Sequence, residues 1–228
     1  MITAQEIKEY AATVGAQRCG IASVDRFDAA PEGFRPQDVF NNAKSVVVCL
    51  RQMPGANILA RNPVPYTHTA YKMYEEMDRI SMELCRFFQQ KDVMAVLVPA
   101  DVPYLHWDEA NKYGHGILSL KHAAAHAGLG IMGRSTIFID REYGNMVYIG
   151  AVLIDAQVEP DPLAADMACP AGCERCLKSC SVSAMDGVTV NQKLCRGNSF
   201  VKCGRGWDLY SCSRCRVACP HRLGYQAQ

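Results

Sequence analysis

Residues 169–180 read C-P-A-G-C-E-R-C-L-K-S-C, and residues 211–220 read S-C-S-R-C-R-V-A-C-P, with Cys195 and Cys203 between them. Nine of the twelve cysteines fall in this stretch. The first run places thiols at Cys169, Cys173, Cys176 and Cys180. The second places them at Cys212, Cys215 and Cys219, followed by Pro220. Such short spacings let one turn of chain present two sulfurs to the same metal group, and a distant cysteine can then complete the set.

C-x2-C-x2-C-x3-C-P is the bacterial ferredoxin spacing for [4Fe–4S] clusters, in which the last cysteine of a run ligates the other cluster. A cubane takes four thiolates, and the second run holds three, so it must borrow one. Crossed ligation solves the count. One cluster takes Cys169, Cys173, Cys176 and Cys219; the other takes Cys180, Cys195, Cys212 and Cys215; Cys203 is left over. Structural zinc also uses C-x2-C, but as pairs and not as runs of three or four. Disulfides need an oxidising compartment. Cys19, Cys49 and Cys85 stand singly in apolar surroundings and read as inert buried thiols.

With 228 residues, 49% hydrophobic and 21% charged, the chain can bury a core in one or two domains. The opening M-I-T-A-Q-E-I-K-E-Y lacks a basic region followed by an apolar one, and no apolar run reaches membrane-spanning length, so a cytoplasmic protein without a membrane partner is expected. The formal net charge is +1, which gives no global nucleic-acid footprint. The charge is uneven, however. Residues 170–228 carry nine Lys/Arg and three Asp/Glu, against fifteen and twenty in the rest. The excess reads first as counter-charge for anionic clusters, and second as a docking face for an acidic electron donor or a polyanion.

Along the chain, Thr3-Ala4-Gln5-Glu6 is a capping box with Ile2 and Ile7 as its staple, and Gly15 ends the helix it starts. Arg18 to Val24 and Ser45 to Leu50 read as strands. The segments 31–42 and 53–69, rich in proline, read as loops. Residues 70–89 carry the stripe Met73, Met77, Ile80, Leu84, Phe87 and Phe88 of a long helix. Val93 to Val98 is a strand, Ile117 to Ala127 a helix, and Thr136 to Ile139 and Met146 to Ile154 are strands joined at Tyr143-Gly144-Asn145. Residues 155–168, with Pro160 and Pro162, link to the cysteine segment. An α/β or α+β layered domain over residues 1–158 and a small cluster domain over 159–228 are expected.

Gly128-Leu129-Gly130-Ile131-Met132-Gly133 satisfies G-x-G-x-x-G, but it follows a helix and precedes a strand, the reverse of a dinucleotide fingerprint. It can be a tight turn against a neighbouring strand, or a place where backbone must approach a large flat cofactor. The segment from Lys121 to Ser135, which contains A-G-L-G-I-M-G-R-S, resembles epoxyqueuosine reductases and the related corrinoid reductive dehalogenases. The resemblance continues through Tyr143-Gly144 and Val152-Leu153-Ile154-Asp155 to the cysteines, and it includes the opening Val14 to Ala22.

That resemblance implies a nitroreductase-like domain holding cobalamin, with a two-cluster ferredoxin-like domain passing electrons to cobalt. By position, Gly128, Leu129, Gly130, Gly133, Arg134 and Ser135 line the corrinoid. A low-potential donor such as ferredoxin or flavodoxin is the implied partner. The sequence departs from the pattern in four places. Its first cysteine run is C-x3-C-x2-C-x3-C, and Ser181, not proline, follows Cys180. Gly114-His115-Gly116-Ile117 stands where the epoxyqueuosine enzymes carry an aspartate. The sequence after Pro220 is short where the tRNA-modifying enzymes continue into helical repeats, and no twin-arginine leader like that of the dehalogenases is seen, so tRNA is not expected as a partner.

For a reductase that needs a proton, His115 is the candidate catalytic residue, with Tyr113 and His106 as alternates. His122 and His126, four residues apart, could share a metal but show no third ligand. The leading reading is thus an iron–sulfur oxidoreductase. Two rivals are an electron-transfer or corrinoid-handling protein without its own substrate, and a protein that holds flavin in place of the corrinoid.

Overall fold

The Thr3 hydroxyl accepts the Glu6 N–H at 3.2 Å, and the Glu6 carboxylate accepts the Thr3 N–H at 2.9 Å. This reciprocal cap starts α1 (Ala4–Thr13), which ends at Val14 with Gly15 at φ +105°. The structure is a computed structural model and describes residues 2–225. The chain continues through β1 (Arg18–Ser23), the one-turn α2 (Pro36–Val39), β2 (Ser45–Gln52), α3 (Pro63–Gln89) and β3 (Ala95–Val98). A hairpin of β4 (His106–Asp108) and β5 (Tyr113–His115) follows, then α4 (Leu120–His126), β6 (Gly130–Met132), β7 (Phe138–Asp140) and β8 (Val147–Ile154). The cysteine segment adds α5 (Arg175–Ser179), α6 (Gln192–Ser199), β9 (Phe200–Lys202), β10 (Asp208–Tyr210) and α7 (Arg214–Ala218).

The main sheet has the order β1-β2-β8-β3, and each neighbouring pair is antiparallel. Its central strands β2 and β8 are buried on both faces, which is why they read as unbroken apolar runs. Period-2 alternation then sorts their side chains. Val47 and Cys49 face α1 and α3 with Ile7, Met77, Ile80 and Leu84. Val46, Val48 and Leu50 face α4 with Ala123, Ala124 and Leu129. The architecture is a mixed α/β fold built on antiparallel sheets, with helices on both faces of the largest.

Several expectations change. The segment 31–42, read as loop, holds the one-turn α2, whose first position is Pro36, where proline suits a helix start. The segment 53–69 is not all loop, because α3 begins at Pro63. Asn62 caps it through the Val64 N–H at 2.9 Å, and Pro63 and Pro65 sit in the first turn, where a missing N–H costs nothing. The helix expected from Ile117 starts three residues later, at Leu120.

The linker does structural work of its own. Asp161 accepts the Ile21 N–H at 2.8 Å through its carboxylate and donates its own N–H to the Ile21 carbonyl at 2.9 Å. Val158 donates to the Ser45 hydroxyl at 3.1 Å. The linker therefore pairs with the outer side of β1 at Ile21, a position that would otherwise offer an unpaired edge.

Candidate metal centres

All twelve cysteines are free thiols. Helices α5 and α7, which carry Cys176 and Cys215, pack against one another and bring the two runs together. Cys219 lies within electrostatic reach of Cys169, Cys173 and Cys176, and Cys176 within reach of Cys169 and Cys173. Separately, Cys195 is in reach of Cys180 and Cys212, and Cys215 in reach of Cys195 and Cys212. Two groups of four thiols result. Each is completed by a residue distant in sequence, Cys219 for the first and Cys195 for the second. Cys203 belongs to neither: it sits at the β9–β10 turn, its N–H bonded to the Trp207 carbonyl.

Burial is the largest cause acting on the displaced thiols. It pushes Cys215 up to about 11, and Cys176, Cys195 and Cys219 upward too, with neighbouring thiols adding to the rise. Without a cation these sulfurs resist ionisation; a bound metal reverses that balance. A backbone donor already points at one sulfur: Ala184 N–H approaches Cys180 Sγ at 3.3 Å. Among the described residues, no three His, Cys, Asp or Glu side chains are placed to hold a metal ion. A cubane differs from a single ion in bonding each thiolate to a separate iron, so its ligands stand farther apart. The donor set, eight thiols in two fours, fits two such clusters.

The layered domain grips this segment at several points. Tyr210 N–H donates to the Thr67 hydroxyl at 2.8 Å, and the Ser213 hydroxyl to the Ile58 carbonyl at 3.1 Å. Asn145 donates to the Arg216 carbonyl at 3.0 Å, and Arg216 bonds the Asn145 carbonyl in return. Gly144, at φ +62°, packs so closely that a Cβ there would stand 2.1 Å from the His221 carbonyl oxygen. The Tyr143-Gly144-Asn145 turn, read from the sequence only as a reversal, is thus a docking point for the segment that follows Cys215.

The glycine segment packs closely against its own chain at two positions. A Cβ at Gly128 would meet the Pro162 carbonyl oxygen at 2.1 Å, and one at Gly130 the Ile139 carbonyl oxygen at 2.0 Å. Leu129, Gly130, Gly133 and Ser135 are buried by the protein itself. At Gly128 and Gly130 the close approach is to the chain's own backbone. Two clefts of the fold, about 790 and 380 Å³, are lined by Ile2, Glu6, Lys91, Val93 and residues 156–160, and by residues 41–44 with Asp155. Arg134 donates to the Cys173 carbonyl at 3.0 Å. It is a cation beside the first thiol set.

The three proton-donor candidates share the β4–β5 hairpin. His106 and His115 are register partners; the Phe34 ring lies 5.3 and 5.1 Å from theirs, and Tyr113 meets His115 edge-on at 4.3 Å. The hairpin leans on α6: Gln192 bonds the N–H and the carbonyl of Gly114 at 3.2 and 3.3 Å, and Arg196 lies over Trp107 at 5.2 Å. Because α6 carries Cys195, the histidines and the second thiol set flank one helix. His122 and His126 do not form a metal site with a third ligand among the described residues. His122 Nδ1 engages the Ser119 hydroxyl at 2.7 Å, and His126 packs on Phe27.

No protein-family model matches the chain. Among curated proteins it is similar to the epoxyqueuosine reductase of Staphylococcus aureus, 23% identical over 255 residues that cover 98% of this chain and 66% of that one. It is also similar to the epoxyqueuosine reductase of Listeria monocytogenes, 31% identical over 122 residues covering 48% of this chain and 31% of that one. The chain thus spans from about a third to two thirds of these relatives' length. Among solved structures, epoxyqueuosine reductase from Streptococcus thermophilus superimposes with a TM-score of 0.68 at 19% identity, covering 98% of this chain and 68% of that one. A catabolic reductive dehalogenase gives 0.59 at 14% identity, covering 90% and 27%. The likeness drawn from the glycine segment and the cysteines is therefore matched by relatives in sequence and by neighbours in fold.

Proposed function

We propose that this chain is an iron–sulfur oxidoreductase, in which residues 159–228 form a ferredoxin-like domain with two [4Fe–4S] clusters and residues 1–158 a nitroreductase-like domain that receives their electrons. The observation that carries the reading is the separation of eight thiols into two sets of four. Cys169, Cys173, Cys176 and Cys219 hold one cluster, and Cys180, Cys195, Cys212 and Cys215 the other. Similarity to epoxyqueuosine reductases supports an iron–sulfur oxidoreductase over a storage or structural role.

The clusters supply one-electron carriers of low potential. The chain's own residues set the conditions. The Ala184 N–H donated to Cys180 stabilises negative charge on sulfur, which favours the reduced state. Arg134 and Arg216 add positive charge near the two sets. A small reducing protein of low potential is the electron donor. His115 supplies the proton, with His106 and Tyr113 on the same hairpin, beside the helix that bears Cys195. The substrate is an organic electrophile of the class that the epoxyqueuosine reductases reduce. The likeness to dehalogenases also supports a corrinoid, which Gly128, Leu129, Gly130, Gly133, Arg134 and Ser135 would line.

Anaerobically purified protein should contain about eight irons and eight sulfides per chain. Cys219→Ser and Cys212→Ser should each reduce the iron to about half, and the two losses should differ in their electron paramagnetic resonance signals. Zinc in place of iron, or about four irons in the unaltered chain, would sink the two-cluster reading. A cobalamin titration of the same material, followed by absorbance, reports whether a corrinoid binds at all.

A further inference from the structure

Three cysteines lie outside the thiol sets in the layered domain, and two of them are neighbours. Cys19 on β1 stands directly opposite Cys49 on β2 in the antiparallel register. Opposed residues of such a pair project to the same face, with Cα atoms about 4.5–5.5 Å apart. A disulfide needs roughly 4.4–6.8 Å, so the backbone is already placed for one. Both thiols pack in the apolar layer beneath α1 and α3. Cys49 is 1% exposed, while Cys19 is half-buried on the outer strand of the sheet and is the more accessible of the two. The Cys19 side chain beside it, and then burial, push the Cys49 thiol upward and hold its proton in place. Cys85, on α3, has no such opposed partner.

We infer that Cys19 and Cys49 form a reversible dithiol–disulfide pair, a redox-modification site in the layered domain separate from both cluster sites. The oxidant is a low-molecular-weight disulfide of the glutathione class. The Cys19 thiolate attacks one of its sulfurs; the reagent's S–S bond breaks, and one thiol leaves with the proton that Cys19 gave up. Cys49 then loses its proton, attacks Cys19 Sγ and expels the second thiol, which takes that proton. Two protein thiols are oxidised by two electrons, and one small disulfide becomes two small thiols. Cross-strand Cβ atoms about 4.5–5.5 Å apart must draw in to the roughly 3.5–4.5 Å of a disulfide. The resulting strain makes the bond easy to reduce, as regulatory disulfides are.

The test uses anaerobic holoprotein with its clusters intact, incubated with oxidised glutathione, quenched in acid, alkylated in denaturant and digested without reductant. The expected product is a peptide pair joining Cys19 to Cys49, with the loss of two hydrogens, unchanged cluster absorbance and full return of both thiols on adding dithiothreitol. Cys49→Ser should stop at a glutathione adduct on Cys19. Recovery of Cys19 and Cys49 both as alkylated thiols, or a link from Cys19 to Cys85, would overturn the inference.

Discussion

Residues 2–158 bury 37 apolar side chains, whereas residues 159–225 bury three, Met167, Cys176 and Ala184. Helices α6 and α7 bury no residue at all. The two regions therefore stand up for different reasons. The first has a layered core on both faces of a sheet and follows ordinary hydrophobic bookkeeping. The second has too little apolar area to fold by burial, and small units of this kind depend on metals or cross-links. Its sulfurs converge where a core would be, so on the proposed ligation the clusters would also serve as the structural core of this region.

Removing the iron gives the largest expected effect. Chelation of the reduced, anaerobic protein should abolish amide protection across residues 169–225 while α1, β2 and β8 keep theirs, as hydrogen exchange would show. Equal loss in both regions would break the comparison. Next comes Leu84→Ala, which opens a cavity beneath the sheet. It should cost about 2–5 kcal/mol in denaturant unfolding of the layer and leave the iron content of folded protein unchanged. Thr3→Ala removes a cap whose two hydrogen bonds are in place. It should lower the stability of the layer by about 1 kcal/mol, again without touching iron. A variant in the layer that empties the cluster sites while the layer stays folded would show that the gripping contacts, and not the thiols alone, decide assembly.

The layer was largely legible because its signals are local. The Thr3–Glu6 cap, Gly15, and the apolar runs of β2 and β8 each carry their own cause. Proline misled at Pro63 and Pro65, where the composition of a loop and of a helix's first turn coincide. The hairpins at His106–His115 and Phe200–Tyr210 escaped notice because short exposed strands have little alternation to display. Cysteine spacing proposes a partition of the thiols, since ligand number constrains a chain whatever its packing. Glycines that admit another backbone and glycines that admit a ligand look the same in one dimension, and the contacts with Pro162 and Ile139 at Gly128 and Gly130 become visible only in the fold. The bond from Arg134 to the Cys173 carbonyl is likewise not legible in the sequence.

Cys219 has a consequence for how the molecule is made. The other three members of its set, Cys169, Cys173 and Cys176, leave the ribosome more than forty residues earlier. They must wait, exposed and unsatisfied, until the stretch beyond Cys215 emerges and settles on the Gly144 turn. On the proposed ligation neither four-sulfur set is complete before Cys215 has been synthesised, so iron delivery would be a late event in the life of this chain, and a premature stop only ten residues short of Cys219 would leave both sites unfinished.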